Sequence, residues 1–548
     1  MLDDSQKRVI ESDKERLIVE APAGFGKTTT MVSLVNRWLE NNVIENNKKI
    51  LCVTYTISAA NRMKEALTNN SDSFFVTNFH GLCRRILSLY GNIIRVPIGQ
   101  DFSNLRCVNT SKLKNYLSSK DYQYLLDFDK DINSGALIER KIRKKINSYN
   151  NIIRKIINLE KTISYTSILT FAIELLSNNK NILDFYRKYF PAMCVDEFQD
   201  TNILGFILVK LLSNKRVVLF GDELQKIYGF LGAIPNIFDR ILDENNNYEY
   251  IRLKYNHRFS DNELMLGLDR SIRKFQETSQ LNKYVAEAKN TVRAIHGETI
   301  EDEAEKISSW IKQQDGQVAI LVPQNSKTSE SLKNNLRKNN VQFFDATFSE
   351  SDSEFINFEN EVLEAFRKIY ANQHLNKMNK QDLFKVVEQL CLQYSYGNSY
   401  IVLFKAFINH TIEKKQLSKR NKHVEEVLLS KSLRSYLNLV NNKVTYIKIH
   451  GSKGLEWDHV IVANFNQGEI PNYYSIQEIG EFKSNKLNEQ NQEGIRKLVM
   501  LFYVAFSRAK KDFIVAYSSK IKDYKGQCTI GEISCISSLP FINIRNIN

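Results

Sequence analysis

Lys27 is the first residue of this 548-residue chain whose setting points to chemistry. It closes the loop Ala21-Pro-Ala-Gly24-Phe-Gly26-Lys27-Thr28, placed where an apolar run gives way to an amphipathic one. A loop at such a strand-to-helix junction aims backbone N–H groups at an anion, and the helix start adds partial positive charge. Ala23, Gly24, Phe25, Gly26, Lys27, Thr28 and Thr29 are therefore the candidate phosphate cradle. Lys27 would reach the β and γ phosphates of ATP, and the Thr28 hydroxyl would ligate Mg2+. Ala21 stands where the usual G-x-x-x-x-G-K-T pattern has its first glycine, and Pro22 removes one N–H donor. A second component, Asp196-Glu197-Phe-Gln199-Asp200, follows an apolar run ending at Val195. Carboxylates at the C-terminal end of a buried strand stand where α/β proteins bind ligands. Asp196 would hold Mg2+, and Glu197 would take a proton from the attacking water. Each stretch alone also fits a plain strand–helix turn or a solvated acidic loop.

The elements that must position these groups are legible as short apolar runs. Leu17–Ala21, Ile50–Thr56, Phe74–Thr77, Pro191–Asp196, Arg216–Gly221 and Tyr250–Leu253 predict buried parallel strands. The 27–40 stretch, with Met31, Leu34, Val35 and Trp38, predicts an amphipathic helix. Between 86 and 165 the pattern turns helical and basic, with Arg140, Lys141, Arg143, Lys144, Lys145, Arg154, Lys155 and Lys161 against Glu139 and Glu160. The scheme then repeats. Gln317–Val322, Val444–Ile449, His459–Ala463 and Asp512–Tyr517 read as strands, and 355–440 as mainly helical. The expected fold is α/β, with two sheet halves that each carry a helical insertion.

Composition bounds the rest. Hydrophobic residues at 43% and charged residues at 25% exclude wholesale disorder. No apolar run is long enough to span a membrane, and the first residues carry no basic-then-apolar leader pattern. Seven cysteines without a Cys-x-x-Cys pair argue for a reducing, cytoplasmic setting and against a disulfide framework or zinc module. A net charge of +14 invites an anionic partner without saying which.

With both phosphate-site components in hand, the chain resembles superfamily 1 DNA helicases of the UvrD/Rep type, in order along most of its length. Leu2-Asp-Asp-Ser-Gln6 is similar to the adenine-reading glutamine motif. Val53–Ala60 followed by Met63, and Thr77–Leu87, resemble the segments V-T-F-T-N-K-A-A-x-x-M and T-F-H-x-x-C-x-R-I-L. Asp196–Thr201 resembles D-E-x-Q-D, and Gly221–Ala233 resembles G-D-x-x-Q-S-I-Y-x-F/W-R-G-A. Leu253–Ser260 resembles L-x-x-N-Y-R-S, and Ile449–Trp457 and Tyr503–Lys510 complete the set.

The resemblance implies two RecA-like P-loop motor domains, at 1–85 with 166–260 and at 261–354 with 441–548. It implies insertions at 86–165 and 355–440. Gln6 would bond adenine beside His257, Glu456 the ribose, and Gln225 would sense the γ phosphate. Arg258 and Arg508 would stabilise the charge of phosphoryl transfer. Tyr55, Phe79, His80, Tyr228, Phe230 and His450 would contact a single DNA strand, although aromatics in such sheets also serve as core. The basic helix would grip phosphates or be a solvated face.

Several positions depart from the family pattern. Leu231 replaces an arginine near the strand phosphates, His257 a tyrosine, Ile57-Ser58 an Asn-Lys pair and Pro323-Gln324 an Arg-Thr pair. The ATP-hydrolysing parts are thus nearly complete and the strand-contact parts eroded. The expected activity is that of an ATP-dependent translocase or helicase moving 3′→5′ on single-stranded DNA, with single-stranded or partly duplex DNA as its partner. The alternative is a nucleic-acid-sensing ATPase subunit that recruits a separately encoded nuclease. Compact UvrD-like proteins of that sort occur in bacterial anti-phage systems such as Gabija. RNA as the track stays open, and no residue pattern speaks to oligomeric state.

Overall fold

The computed structural model describes residues 2–547 except 42–43, 46, 55–59, 61–62, 64–65, 68–72, 228, 230–231, 245–246, 279–283, 351, 473–474 and 476–488, and not the side chains of 103 and 489–491. The chain divides into two compact units, Met1–His257 and Arg258–Asn548.

In the first unit the predicted strands form β1 (Arg16–Glu20), β2 (Ile50–Thr54), β3 (Phe74–Asn78), β6 (Ala192–Val195), β7 (Arg216–Gly221) and β8 (Glu249–Arg252). They pair in parallel in the order β3-β2-β6-β7-β1-β8. Alternate side chains leave by opposite faces, which is why the runs are continuously apolar. Ile18, Leu51, Val53, Val195 and Leu219 join one core cluster. Leu17, Val19, Cys52, Cys194 and Phe220 join the other.

The helical segment after β3 packs into the first of these clusters and has no separate core. Its longest helix, Glu139–Glu160, buries Ile142, Ile146, Tyr149, Ile153, Ile156 and Ile157, one stripe at three- and four-residue spacing. Two three-residue strands, β4 (Arg106–Val108) and β5 (Thr162–Ser164), pair in parallel within it. The pattern of the sequence read this region as helical, because three residues are too few to show a period of two.

The second unit has a seven-stranded parallel sheet in the order β11-β12-β10-β13-β14-β9-β17. Its strands are β9 (Asn290–Gly297), β10 (Val318–Val322), β11 (Phe344–Asp345), β12 (Val444–Lys448), β13 (Trp457–Val462), β14 (Ala509–Ser518) and β17 (Ile542–Asn546). A hairpin of β15 (Lys520–Lys522) and β16 (Cys528–Ile530) stands apart from it. β9 and β17 escaped the sequence reading because Asn, Thr, Arg and His interrupt their apolar residues. Between β11 and β12, helices Ser353–Ile369, Lys380–Cys391, Gly397–Lys414 and Leu417–Leu429 enclose Phe355, Phe358, Tyr400, Phe404 and Phe407. No helix among the described residues is long and apolar enough to cross a membrane.

Candidate active site

Adjacent strands deliver the phosphate site of the first unit. β7 lies between β1 and β6, so the C-terminal ends of all three open on one edge. The β1 end continues into the 21–28 loop, the β6 end into Asp196-Glu197 and the β7 end into Asp222 and a short turn at Glu223–Gln225. Gly24 (φ 84°) and Gly26 (φ 76°) take the left-handed conformation that turns the loop back into the helix Lys27–Glu40. Gly26 caps that helix without a side chain, leaving the first-turn N–H groups open to an anion. A Cβ on Gly26 would stand 2.2 Å from Gln6 Nε2, so a larger residue would displace Gln6 as well as strain the backbone.

Lys27 donates to a Glu197 oxygen and lies 3.0 Å from Asp196 Oδ1. Burial alone would lower the ammonium pKa, but Asp196 and Glu197 outweigh it and hold Lys27 above the usual lysine range. Burial raises the Asp196 carboxyl; Lys27 offsets part of that, and Glu197 adds to it. Glu197 is itself in the left-handed region (φ 52°), with its N–H donating to Asp196 Oδ1 at 2.9 Å. Thr28 and Thr29 are exposed at the helix start, and Ala23 is half-buried in the loop. Open backbone donors, a lysine, a free-facing hydroxyl and a paired acid form a set that suits a Mg2+–triphosphate.

A second group lies behind the loop. Gln6 Nε2 donates to Phe25 O at 3.4 Å, and the His257 N–H donates to Gly24 O at 2.9 Å. His257 Nε2 lies 2.8 Å from Asp3 Oδ2. Asp3 caps the helix Asp4–Glu11 and accepts from the Gln6 N–H, while Gln6 Oε1 accepts from the Asp3 N–H at 3.0 Å. Gln6 and His257 are thus fixed against the same loop. Asp3 was not singled out from the sequence, although Asp-x-x-Gln before an apolar residue is the signature of a reciprocal helix cap.

Gln225 donates to Asp222 Oδ2 at 3.0 Å. Gln199 and Asp222, also not singled out, link the β6 and β7 ends: Asp222 N–H donates to Gln199 Oε1 at 3.0 Å, and Gln199 Nε2 to Glu197 Oε2 at 2.6 Å. Their signals were the D-E-x-Q-D pattern, which holds Gln199, and the G-D-x-x-Q pattern, which holds Asp222; both positions are polar yet fully buried.

The residues expected on the strand-contact face are less gathered. Phe79 is half-buried against the first core cluster. His80 meets Tyr165 edge-on at 6.4 Å, and burial together with the Arg84 charge pushes its pKa down to about 4. Tyr55, Tyr228 and Phe230 lie outside the described residues, as do Ile57, Ser58 and Leu231.

In the second unit, Arg258 donates to Ser507 O and pairs with Glu456. Arg508 is buried and donates to Val504 O (3.0 Å), Leu455 O (3.3 Å) and Ser507 Oγ (2.8 Å). The first of these acceptors lies in the last turn of the helix Glu489–Phe506, where carbonyls lack helical partners and the dipole favours a cation; the Ser507 hydroxyl donates to it as well. Arg258, Glu456 and Arg508 therefore share one cluster. His450 stands after β12, its pKa lowered by burial and by Lys448 and Lys453.

The basic helix carries less net charge than its sequence implied. Lys141 and Lys145 pair with Asp131, Arg143 with Glu139, Arg154 with Glu174 and Lys155 with Asp121. Of the cations singled out there, Arg140, Lys144 and Lys161 make no ion pair among the described residues.

A parallel sheet whose first strand ends in a Gly-Lys-Thr loop, with an acidic pair two strands away, defines a P-loop nucleotide site. Residues 2–249 match the profile of the UvrD/REP helicase N-terminal domain, and residues 352–520 that of the UvrD-like helicase C-terminal domain. DNA helicase II of Salmonella typhimurium is 29% identical over 288 residues, covering 48% of this chain and 39% of that protein. A probable DNA helicase II homolog of Mycoplasma genitalium is 22% identical over 610 aligned residues, covering 93% of this chain and 84% of its own length. ATP-dependent DNA helicase Rep of Buchnera aphidicola (subsp. Schizaphis graminum) is 22% identical, covering 94% and 92%. The chain belongs to the UvrD-like helicases, which are ATP-hydrolysing DNA helicases.

Proposed function

We propose that this chain is a Mg2+-ATP-driven translocase that moves 3′→5′ along single-stranded DNA and separates duplex in its path. One observation carries the reading: Lys27, Asp196, Glu197 and Gln225 converge from three adjacent strands on one sheet edge. Direction and strand preference rest on the UvrD/Rep resemblance. Thr28 and Asp196 would hold Mg2+, which would supply charge neutralisation at the phosphates. Lys27 exchanges its carboxylate partners for phosphate oxygens, freeing Glu197 to take the proton of the attacking water. Gln6 and His257 address the base, Glu456 the ribose, and Gln225 the γ phosphate. Arg258 and Arg508 supply positive charge to the transferring phosphoryl group. Phe79, His80 and His450, with Tyr55, Tyr228 and Phe230, provide the faces for stacked bases. The free thiols of all seven cysteines agree with a cytoplasmic location.

The test is phosphate release with and without single-stranded DNA, beside unwinding of a forked duplex. Lys27→Ala and Glu197→Gln are each expected to lose about 10²–10⁴-fold in kcat. Turnover equal to wild type in both variants would refute the assigned site. DNA-stimulated turnover without strand separation, with a nuclease co-purifying, would instead favour the regulatory-subunit reading.

A further inference from the structure

Gln199 carries no role in the reading above, yet its position is heavily constrained. It is fully buried, and its side-chain amide crosses from the end of β6 to the end of β7. Nε2 donates to Glu197 Oε2 at 2.6 Å and lies 3.4 Å from Asp200 Oδ2. Oε1 accepts the Asp222 N–H at 3.0 Å. Asp222, also fully buried, accepts in turn from the Leu224 N–H (3.1 Å) and from Gln225 Nε2 (3.0 Å).

The neighbouring backbone makes room for this amide. A Cβ on Gly221, the last residue of β7, would stand 2.3 Å from Gln199 Oε1 and 2.7 Å from Phe238. Glu197 needs outside support, because a non-glycine residue at φ 52° and ψ 39° stores backbone strain. One of its carboxylate oxygens faces Lys27 and the other faces Gln199. Gln199 therefore holds the direction of that carboxylate from the oxygen that Lys27 does not bind.

We propose that Gln199 is a positioning residue that joins the Glu197 carboxylate to the Asp222–Gln225 turn, so that the base and the γ-phosphate sensor are aligned together. The proposal rests on the ATPase reading of this site. Loss of the amide therefore alters alignment while leaving the phosphate cradle intact.

The experiment compares wild type, Gln199→Met and Gly221→Ala for kcat and KM for ATP, with thermal unfolding as a control. Gln199→Met keeps the volume and removes both hydrogen bonds. We expect kcat to fall about tenfold or more and KM to change by less than about threefold. Gly221→Ala keeps the amide and displaces it, and is expected to reproduce the kcat loss. A Gln199→Met,Gln225→Ala double variant should be no slower than the worse single variant, the mark of residues acting as a unit. A folded Gln199→Met enzyme with wild-type kcat overturns the proposal while leaving the ATPase reading standing. A wild-type chain without ATP turnover overturns both.

Discussion

The two parallel sheets use the same topological position in opposite ways. In the first, the C-terminal strand ends meet a glycine loop, a lysine and a paired acid whose lysine can turn to phosphate. In the second, the ends of β13 and β14 face a carboxyl of the chain itself. Glu303 is fully buried there, accepting from the Asn464 N–H at 3.2 Å and from the Ser518 hydroxyl. The C-terminal strand ends of parallel sheets are where ligands are received in general. Whether a ligand or an internal acid is received depends on what the following loop supplies.

The cations proposed to act from the second unit stand at its other edge. Trp457, which opens β13, donates its N–H to Arg508 O at 3.0 Å, and Arg508 immediately precedes β14. Lys27 is held by carboxylates, whereas Arg508 is held by carbonyls and a hydroxyl. A carboxylate partner yields to competing phosphate and metal. Carbonyls ending a helix keep their cation, which makes Arg508 a fixed charge.

The sharpest way to break that contrast is to replace Arg508. Arg508→Ala is expected to lower kcat about 10³-fold. It should also lower the unfolding free energy of the chain by about 1–3 kcal/mol, because buried acceptors lose their donor. Arg508→Lys keeps the charge but not the planar fork, so it should recover little of either. An Arg508→Ala protein with wild-type stability would place those carbonyls among solvated groups and dissolve the comparison.

Glu303 offers a medium-sized test. Burial, with a further push from Glu469, raises its pKa from an ordinary 4.5 to about 7 despite the Ser518 and Asn464 hydrogen bonds. Across that window the folded chain binds the proton that the unfolded chain has lost. Stability of the second unit therefore falls as pH rises from 4.5 to about 7. Glu303→Gln, a neutral match for the protonated acid, should flatten this fall in denaturant titrations at several pH values. An undiminished slope would mean that the carboxyl does not fill the strand-end position in the neutral form.

The smallest effect concerns the basic helix. Arg140→Ala with Lys144→Ala should reduce the salt slope of DNA binding by no more than about two. Lys141→Ala with Lys145→Ala should change it less, since Asp131 already compensates both. Equal effects from the two pairs would return the whole run to the role its sequence first implied.

The strands with unbroken apolar runs were legible because burial on both faces demands apolar residues at every position. The phosphate loop was legible because only certain residues satisfy its backbone and charge. β4, β5, β9 and β17 were hidden by short length or interrupting polar residues. The compensation of the basic helix was hidden for another reason: its partners Asp121, Asp131 and Glu174 lie on other helices.

By itself the sequence determined the chemistry on offer: a Gly-Lys-Thr loop, an acidic pair, and a glutamine and two arginines placed as in the UvrD/Rep pattern. Those choices are local, made by residue type and short spacing. Only the tertiary structure decided which charges stay available. It set Lys27 against Asp196 and Glu197, tied Glu197 to Gln225 through Gln199 and Asp222, anchored Arg508 on a helix end and cancelled most of the basic helix. Hydrogen bonds and ion pairs act over a few ångströms, and residues far apart in the chain come that close only when the sheets form.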